Sequence, residues 1–152
     1  LSQEKVIELS KEKHLILICG HYEGIDERIT EFVDEEISIG DYVLTGGELP
    51  AAVLIDAISR YIPGVVKEMK SVEADSFSNK LLDFPHYTRP ADLDNKKVPD
   101  ILFSGNHEEI RKWRRKESLK ATLFKRADLL AGSVLTEEDK LLLKEIILGI
   151  NF

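Results

Sequence analysis

Apolar positions change their spacing several times along the chain, and each change marks a different element. Ser2 to Lys11 sets Val6, Ile7 and Leu9 among charged residues, the spacing of a short amphipathic helix. Leu15 to Cys19 is instead an unbroken apolar run of strand length, which suits a strand buried on both faces of a parallel sheet, and Gly20 ends it. From Gly24 the spacing turns helical, with Ile25, Ile29, Phe32 and Val33 in a stripe and Asp26 and Glu27 near the positive end of the helix. Asp34 to Ile39 reads as a return to the sheet. The order strand, helix, strand, loop, helix predicts an α/β layer.

A glycine-punctuated loop, Ile39 to Pro50, then runs into the clearest helix, Leu49 to Ile62. Gly40, Gly46 and Gly47 allow positive φ or close approach of the backbone to a ligand, and Pro50 suits the first turn. Val53, Leu54, Ala57, Ile58 and Tyr61 or Ile62 fall on one side, with Pro63-Gly64 as the stop. Ala51, Ala52 and Ala57 keep part of the helix thin enough for close packing, in a core or a dimer seam. Periodicity is lost from Val65 to Pro99, where Pro85, Pro90 and Pro99 mark an extended connector. After Ile101-Leu102-Phe103 a helical unit is predicted: Glu108 to Leu123, a short Ala127 to Ala131 turn, and Thr136 to Leu148. Thr136 with Asp139 reads as a capping box with Asp in place of Glu. The expected domains are residues 1–65, a connector over 66–99 and a helical domain over 100–152.

Composition narrows the class without naming a function. The 152 residues are 43% hydrophobic and 32% charged, the balance of a soluble globular chain, and neither a bilayer-length apolar run nor a signal-peptide pattern appears, so a cytoplasmic location is expected. A single cysteine excludes an internal disulfide, and one Cys with four scattered His gives no zinc spacing. Net charge is −7, yet its distribution is uneven: residues 107–126 hold eight Lys or Arg against three Glu. Local fields decide where a polyanion docks, so RNA contact stays open beside the plainer reading of a solvated face.

Several rare strings occur together. Cys19-Gly20-His21-Tyr22-Glu23-Gly24-Ile25-Asp26-Glu27-Arg28 precedes the glycine loop; Ser59-Arg60-Tyr61-Ile62-Pro63-Gly64, Asp75-Ser76-Phe77, His86-Tyr87-Thr88-Arg89-Pro90 and Ser104-Gly105-Asn106-His107 follow it. In this order and spacing they resemble the bacterial tRNA (guanine-N1)-methyltransferases of the TrmD type, in the SPOUT superfamily. The resemblance runs from about Leu15 to the helical C-terminus. It implies an α/β fold, a SPOUT-type knotted parallel sheet with flanking helices, followed by a small all-helical C-terminal domain. The family has an N-terminal portion ahead of Leu1, with a first donor-contacting loop, so a fragment or processed product is expected here.

The resemblance also implies a chemistry. Methyl transfer to a guanine ring nitrogen needs a sulfonium donor, a group to take the N1 proton, and a cation to meet the charge spreading towards O6. By resemblance Asp75 is the general base and Arg60 the essential arginine; otherwise Asp75 reads as a capping or solvated carboxylate and Arg60 as a partner of its helix dipole. S-adenosylmethionine is the implied donor, held by Gly20, Ile39, Gly40, Asp41, Tyr42, Val43 and Leu44, with Gly46 and Gly47 shaping the loop. Glu23, between a tyrosine and a glycine, is implied near donor and substrate, with Mg²⁺ as an optional companion; an acidic helix start is the plainer account. His86, Tyr87, Arg89, Ser104, Gly105, Asn106 and His107 are implied substrate residues, and Arg111, Arg114 and Arg115 are expected to face tRNA while Trp113 packs into the helical core. A homodimer with active sites shared between subunits follows from the family. Two other readings remain: a non-catalytic RNA-binding or dimerisation fragment, and a carboxylate-based metal hydrolase using Glu23, Asp26 and Asp41.

Overall fold

The computed structural model describes residues 1–67 and 75–149. Part of the expected connector, residues 68–74, and the last residues of the helical domain, 150–152, lie outside the described residues. The chain divides into two units, Leu1–Val72 and Glu73–Phe152.

In the first unit α1 spans Gln3–Leu9, and the Ser2 side chain accepts a hydrogen bond from the amide of Lys5 at its start. The second helix, α2, spans Glu48–Ser59 with Pro50 in its first turn. The two helices meet through Val6, Leu54 and Ile58, which are buried, and Leu9, Ile37, Ala57 and Tyr61 pack against them. The predicted stripe of α2 is therefore narrower than its sequence suggests, since Val53 and Ile62 remain 48% and 44% exposed.

The expected parallel sheet differs most from what is found. Leu15–Cys19 has no strand assignment, and Ile16 is 79% exposed. A parallel strand exists only by hydrogen bonding to neighbours. Among the described residues none pairs with this run, and residues 34–39 form no strand either. The helix expected after Gly24 is reduced to a 3₁₀ turn, Glu27–Phe32, whose Asp26 side chain accepts from the Arg28 amide. Phe32 is 80% exposed, so its stripe has no surface to pack on.

The second unit fits the sequence more closely. A small antiparallel hairpin joins β1, Asp92–Leu93, to β2, Lys96–Lys97. It turns through Asp94 and Asn95, both at positive φ, where Asp and Asn are tolerated. A 3₁₀ turn at Asp100–Phe103 leads to α3, His107–Lys125, followed by α4, Ala127–Ala131, and α5, Glu137–Leu148. Thr136 and Asp139 form the expected capping box. Leu81, Leu119 and Ile146 are the buried core, with Leu123, Leu130, Leu135, Leu142 and Leu143 against them. No helix among the described residues is long and apolar enough to cross a membrane.

Candidate functional site

In the first unit two backbone segments meet without intervening side chains. The Gly47 amide donates to the Gly20 carbonyl at 2.9 Å, and His21 forms an isolated antiparallel bridge with Gly46. A Cβ on Gly47 would stand 2.8 Å from Cys19 Cα, and one on Gly46 would stand 2.7 Å from His21 Cε1. His21 Nε2 also pairs with the Glu48 carboxylate. Glu48 is held below the ordinary carboxylate range by its own backbone N–H and then by His21.

The arrangement brings together Gly20, Gly46 and Gly47. It also gives a prediction: Gly47→Ala, whose new methyl meets backbone rather than a movable side-chain end, destabilises the first unit by about 1–3 kcal/mol, read as a lower urea midpoint at unchanged slope. An unchanged midpoint would mean the two segments separate at no cost.

Residues 39–44 continue the chain towards these glycines. Gly40 sits at φ +157, its carbonyl accepts from the Tyr42 amide at 3.1 Å, and a Cβ there would stand 2.5 Å from the Tyr42 ring. Ile39 is half-buried, whereas Asp41, Tyr42, Val43 and Leu44 are exposed, Val43 at 97%. The cluster offers peptide groups to a donor where Gly47 lies against Cys19 and Gly20, backbone on backbone, whereas Gly46 and Gly40 stand against the His21 and Tyr42 side chains. Mg²⁺ fits less well: Glu23 is exposed, and among the described residues no three His, Cys, Asp or Glu side chains gather to hold a metal ion. Arg60 is the C-terminal cap of α2 in this unit.

Asp75 belongs to the second unit, where a folded loop carries it to a cavity. The Phe77 amide donates to the Leu81 carbonyl at 2.8 Å, and the Asp83 amide donates to Ser76 Oγ at 2.9 Å, closing residues 76–83 on themselves. That loop is pinned to α3 by two buried polar side chains. Thr122 Oγ1 accepts from the Leu82 amide at 2.9 Å, and Ser118 Oγ donates to the Leu82 carbonyl. Neither residue was singled out in the sequence. The available signal was two hydroxyl side chains one helical turn apart, flanking Leu119 on the apolar stripe of α3.

The half-buried Asp75 lines a cavity of about 450 Å³ together with His107, Ile110, Arg111, Arg114 and Arg115. A second cavity of about 390 Å³ lies beside it in the same unit, lined by Phe84, His86, Tyr87, Arg89, Phe103 and Trp113 among others, and Phe84 and Arg114 belong to both. His86 Nε2 pairs with Asp83 Oδ2 at 2.7 Å and its ring lies 4.6 Å from that of Phe84. Trp113 is half-buried and forms part of a cavity wall as well as of the helix packing. The polar loop before α3 caps it: Asn106 Oδ1 accepts from the amides of Glu108 and Glu109, Ser104 Oγ accepts from the Asn106 amide, and Gly105 takes φ +72.

The basic run on α3 is mostly neutralised within the protein. Arg111 pairs with Glu108 and Glu138, Arg115 with Asp139, Lys116 with Glu145, and Arg126 with Asp128. Lys120 stands 4.0 Å from Glu117. Arg111 is raised above its ordinary value by both partners, and Glu108 and Glu138 are lowered in return. Among the described residues this leaves Lys112, Arg114 and Lys125 without an ion pair. The Arg114 guanidinium instead lies 4.9 Å from the centre of the Phe84 ring, a cation–π distance that leaves its donors available.

Comparison with known proteins gives a consistent result. The family profile described as tRNA (Guanine-1)-methyltransferase TrmD matches residues 1–132. A protein of Syntrophomonas wolfei named tRNA (guanine-N(1)-)-methyltransferase is 58% identical over 147 residues, covering 97% of this chain and 60% of its own length. Proteins of the same name from Fervidobacterium nodosum and Haemophilus influenzae are each 60% identical, over 97% and 95% of this chain and 61% and 59% of their own lengths. The chain thus spans about three fifths of the curated relatives it matches.

Proposed function

The chain belongs to the tRNA (guanine-1)-methyltransferase TrmD family, and from that premise we propose that it transfers a methyl group from S-adenosylmethionine to N1 of the guanine immediately 3′ of a tRNA anticodon. The observation that carries this reading is Asp75, half-buried in a cavity whose polar lining also includes Asp83, His107 and three arginines. N1 of guanine bears a proton at neutral pH, so it becomes nucleophilic only as that proton leaves. The Asp75 carboxylate takes the proton as the new N–CH₃ bond forms. Negative charge then spreads towards O6, where a guanidinium opposes it. Arg60 is assigned that task; Arg114, free of ion pairs among the described residues, supports RNA phosphate at the cavity rim.

Gly20, Ile39 to Leu44, Gly46 and Gly47 hold the donor, chiefly through backbone groups. S-adenosylmethionine supplies, when bound, a methyl group on a positively charged sulfur. Glu23, His86, Tyr87, Arg89 and the Ser104 to His107 loop contact substrate in this scheme. Arg60 and Asp75 sit on different units, which suits a homodimer in which the Asp75 segment of one subunit serves the donor loops of its partner. A cytoplasmic location accords with a tRNA substrate.

The test is product identity. Incubation with S-adenosylmethionine and a tRNA transcript, followed by digestion to nucleosides, yields 1-methylguanosine on this reading. No methylated nucleoside, or a methyl at another ring position, would contradict it.

A further inference from the structure

The loop that carries Asp75 is built of turns rather than of helix or strand. Within it Phe77 and Lys80 stand at positive φ, +73 and +55, a conformation that costs a side chain bearing Cβ and persists only where the surroundings enforce it. Those surroundings are supplied by α3, 36 to 40 residues further along the chain. Leu81 enters the core with Leu119 and Ile146, and both peptide groups of the next residue are captured. Ser118 Oγ donates to the Leu82 carbonyl, and Thr122 Oγ1 accepts from the Leu82 amide at 2.9 Å. Thr122 is fully buried and donates in turn to the Ser118 carbonyl at 2.7 Å. The Asp83 amide then donates to Ser76 Oγ at 2.9 Å, so the grip on Leu82 passes through Asp83 to the residue beside Asp75.

We propose that Ser118 and Thr122 are positioning residues for methyl transfer: they orient the 76–83 loop and so hold the Asp75 carboxylate where the guanine proton leaves. The inference rests on Asp75 being the base, as proposed above, and adds to it the residues that aim that base. Stability alone does not call for these hydroxyls. Leu81 already anchors the loop by burial, and apolar side chains of the same shape can replace a buried hydrogen-bonded pair at almost no cost. What burial cannot supply is direction, because the hydrophobic effect is non-directional. A donor and an acceptor fixed one helical turn apart, by contrast, receive the carbonyl and the amide of one residue in a single orientation. Direction matters for a base, which acts only within hydrogen-bond reach of the proton it takes. A displacement of about 1 Å is enough to lower a rate about 100-fold.

The test compares single-turnover methyl transfer, at saturating S-adenosylmethionine and tRNA, in two backgrounds. With Asp75 present, Ser118→Ala combined with Thr122→Val is expected to lower the rate about 10- to 100-fold, while donor and tRNA affinities measured by calorimetry stay unchanged. With Asp75→Asn, the same pair of substitutions is expected to lower the rate no further, because a base that is absent cannot be misplaced. Thr122→Ser keeps the hydroxyl and is expected to retain the rate. An equal fractional loss in both backgrounds would overturn the inference and leave the hydroxyls a part of the fold alone. An undiminished rate with Asp75 present would overturn it too. Should circular dichroism show that the combined variant does not fold, Ser118→Ala alone carries the same comparison, since Thr122 still accepts from the Leu82 amide. Absence of transfer by the unaltered chain would overturn the assignment of Asp75 as well.

Discussion

Asp75→Asn lowers the rate of methyl transfer under single-turnover conditions by about 10²- to 10⁴-fold, the usual contribution of a positioned general base, while donor and tRNA affinities stay close to those of the unaltered chain. The substitution keeps the size of the side chain and removes its charge together with its basicity. The surrounding loop is held by Ser76, Phe77 and Leu81 and pinned through Ser118 and Thr122, so the variant keeps its fold. The rate is read by quenched-flow transfer of labelled methyl and the affinities by calorimetry. A variant of normal rate would remove Asp75 from the chemistry, and one that unfolds would make its role structural.

Arg115→Met costs about 3 kcal/mol of unfolding free energy at neutral pH, at the lower end for a buried carboxylate losing its partner. The Asp139 side chain is only 2% exposed and receives two Arg115 hydrogen bonds, at 2.6 and 2.9 Å. The loss is not larger because the Thr136 amide still donates to Asp139 Oδ2. In the intact pair the guanidinium, followed in effect by the Thr136 backbone and side chain, holds the Asp139 carboxyl down at about 2 from an ordinary 3.8. A carboxyl with a lowered folded-state value contributes stability that is present above its unfolded value and is lost as pH falls through the folded one. The margin between the two proteins therefore narrows from about pH 4 down to about pH 2. Urea unfolding at both ends of that window measures it, and a margin equal at both would contradict the ionic origin.

This pairing also shows how far the sequence could be read. Arg115 was expected to face RNA because it sits in a run of cations, but a helix carries neighbouring residues onto different faces. Arg115 turns towards the start of α5 and completes its cap through Asp139, whereas Arg114, one residue earlier, lies on Phe84. The capping box at Thr136 was legible because it is local: donor and acceptor are three residues apart, and their spacing is the signal. The helices α3 and α5 were legible for the same reason, since their apolar period repeats over many residues.

Leu15–Cys19 illustrates the opposite case. Five apolar residues in a row specify burial but not the partner that provides it, and among the described residues no strand pairs with them. The two cavities were illegible in a further sense. Phe84 meets Arg114 and Tyr87 meets Trp113 across intervals of roughly 30 residues that no periodicity spans, and the connector takes its path from Ser118 and Thr122 on a helix read only for its apolar face. Gly47 was legible as a position of close approach, although what it approaches, Cys19 and Gly20, emerged only from the structure.

The central claim is that this chain methylates guanine at one position of tRNA. Its most direct measurement is transfer of labelled methyl from S-adenosylmethionine to two transcripts that differ only in the nucleotide 3′ of the anticodon, guanine in one and adenine in the other. The account predicts label in the guanine transcript alone. Equal label in both, or label in neither while tRNA still binds, would contradict it.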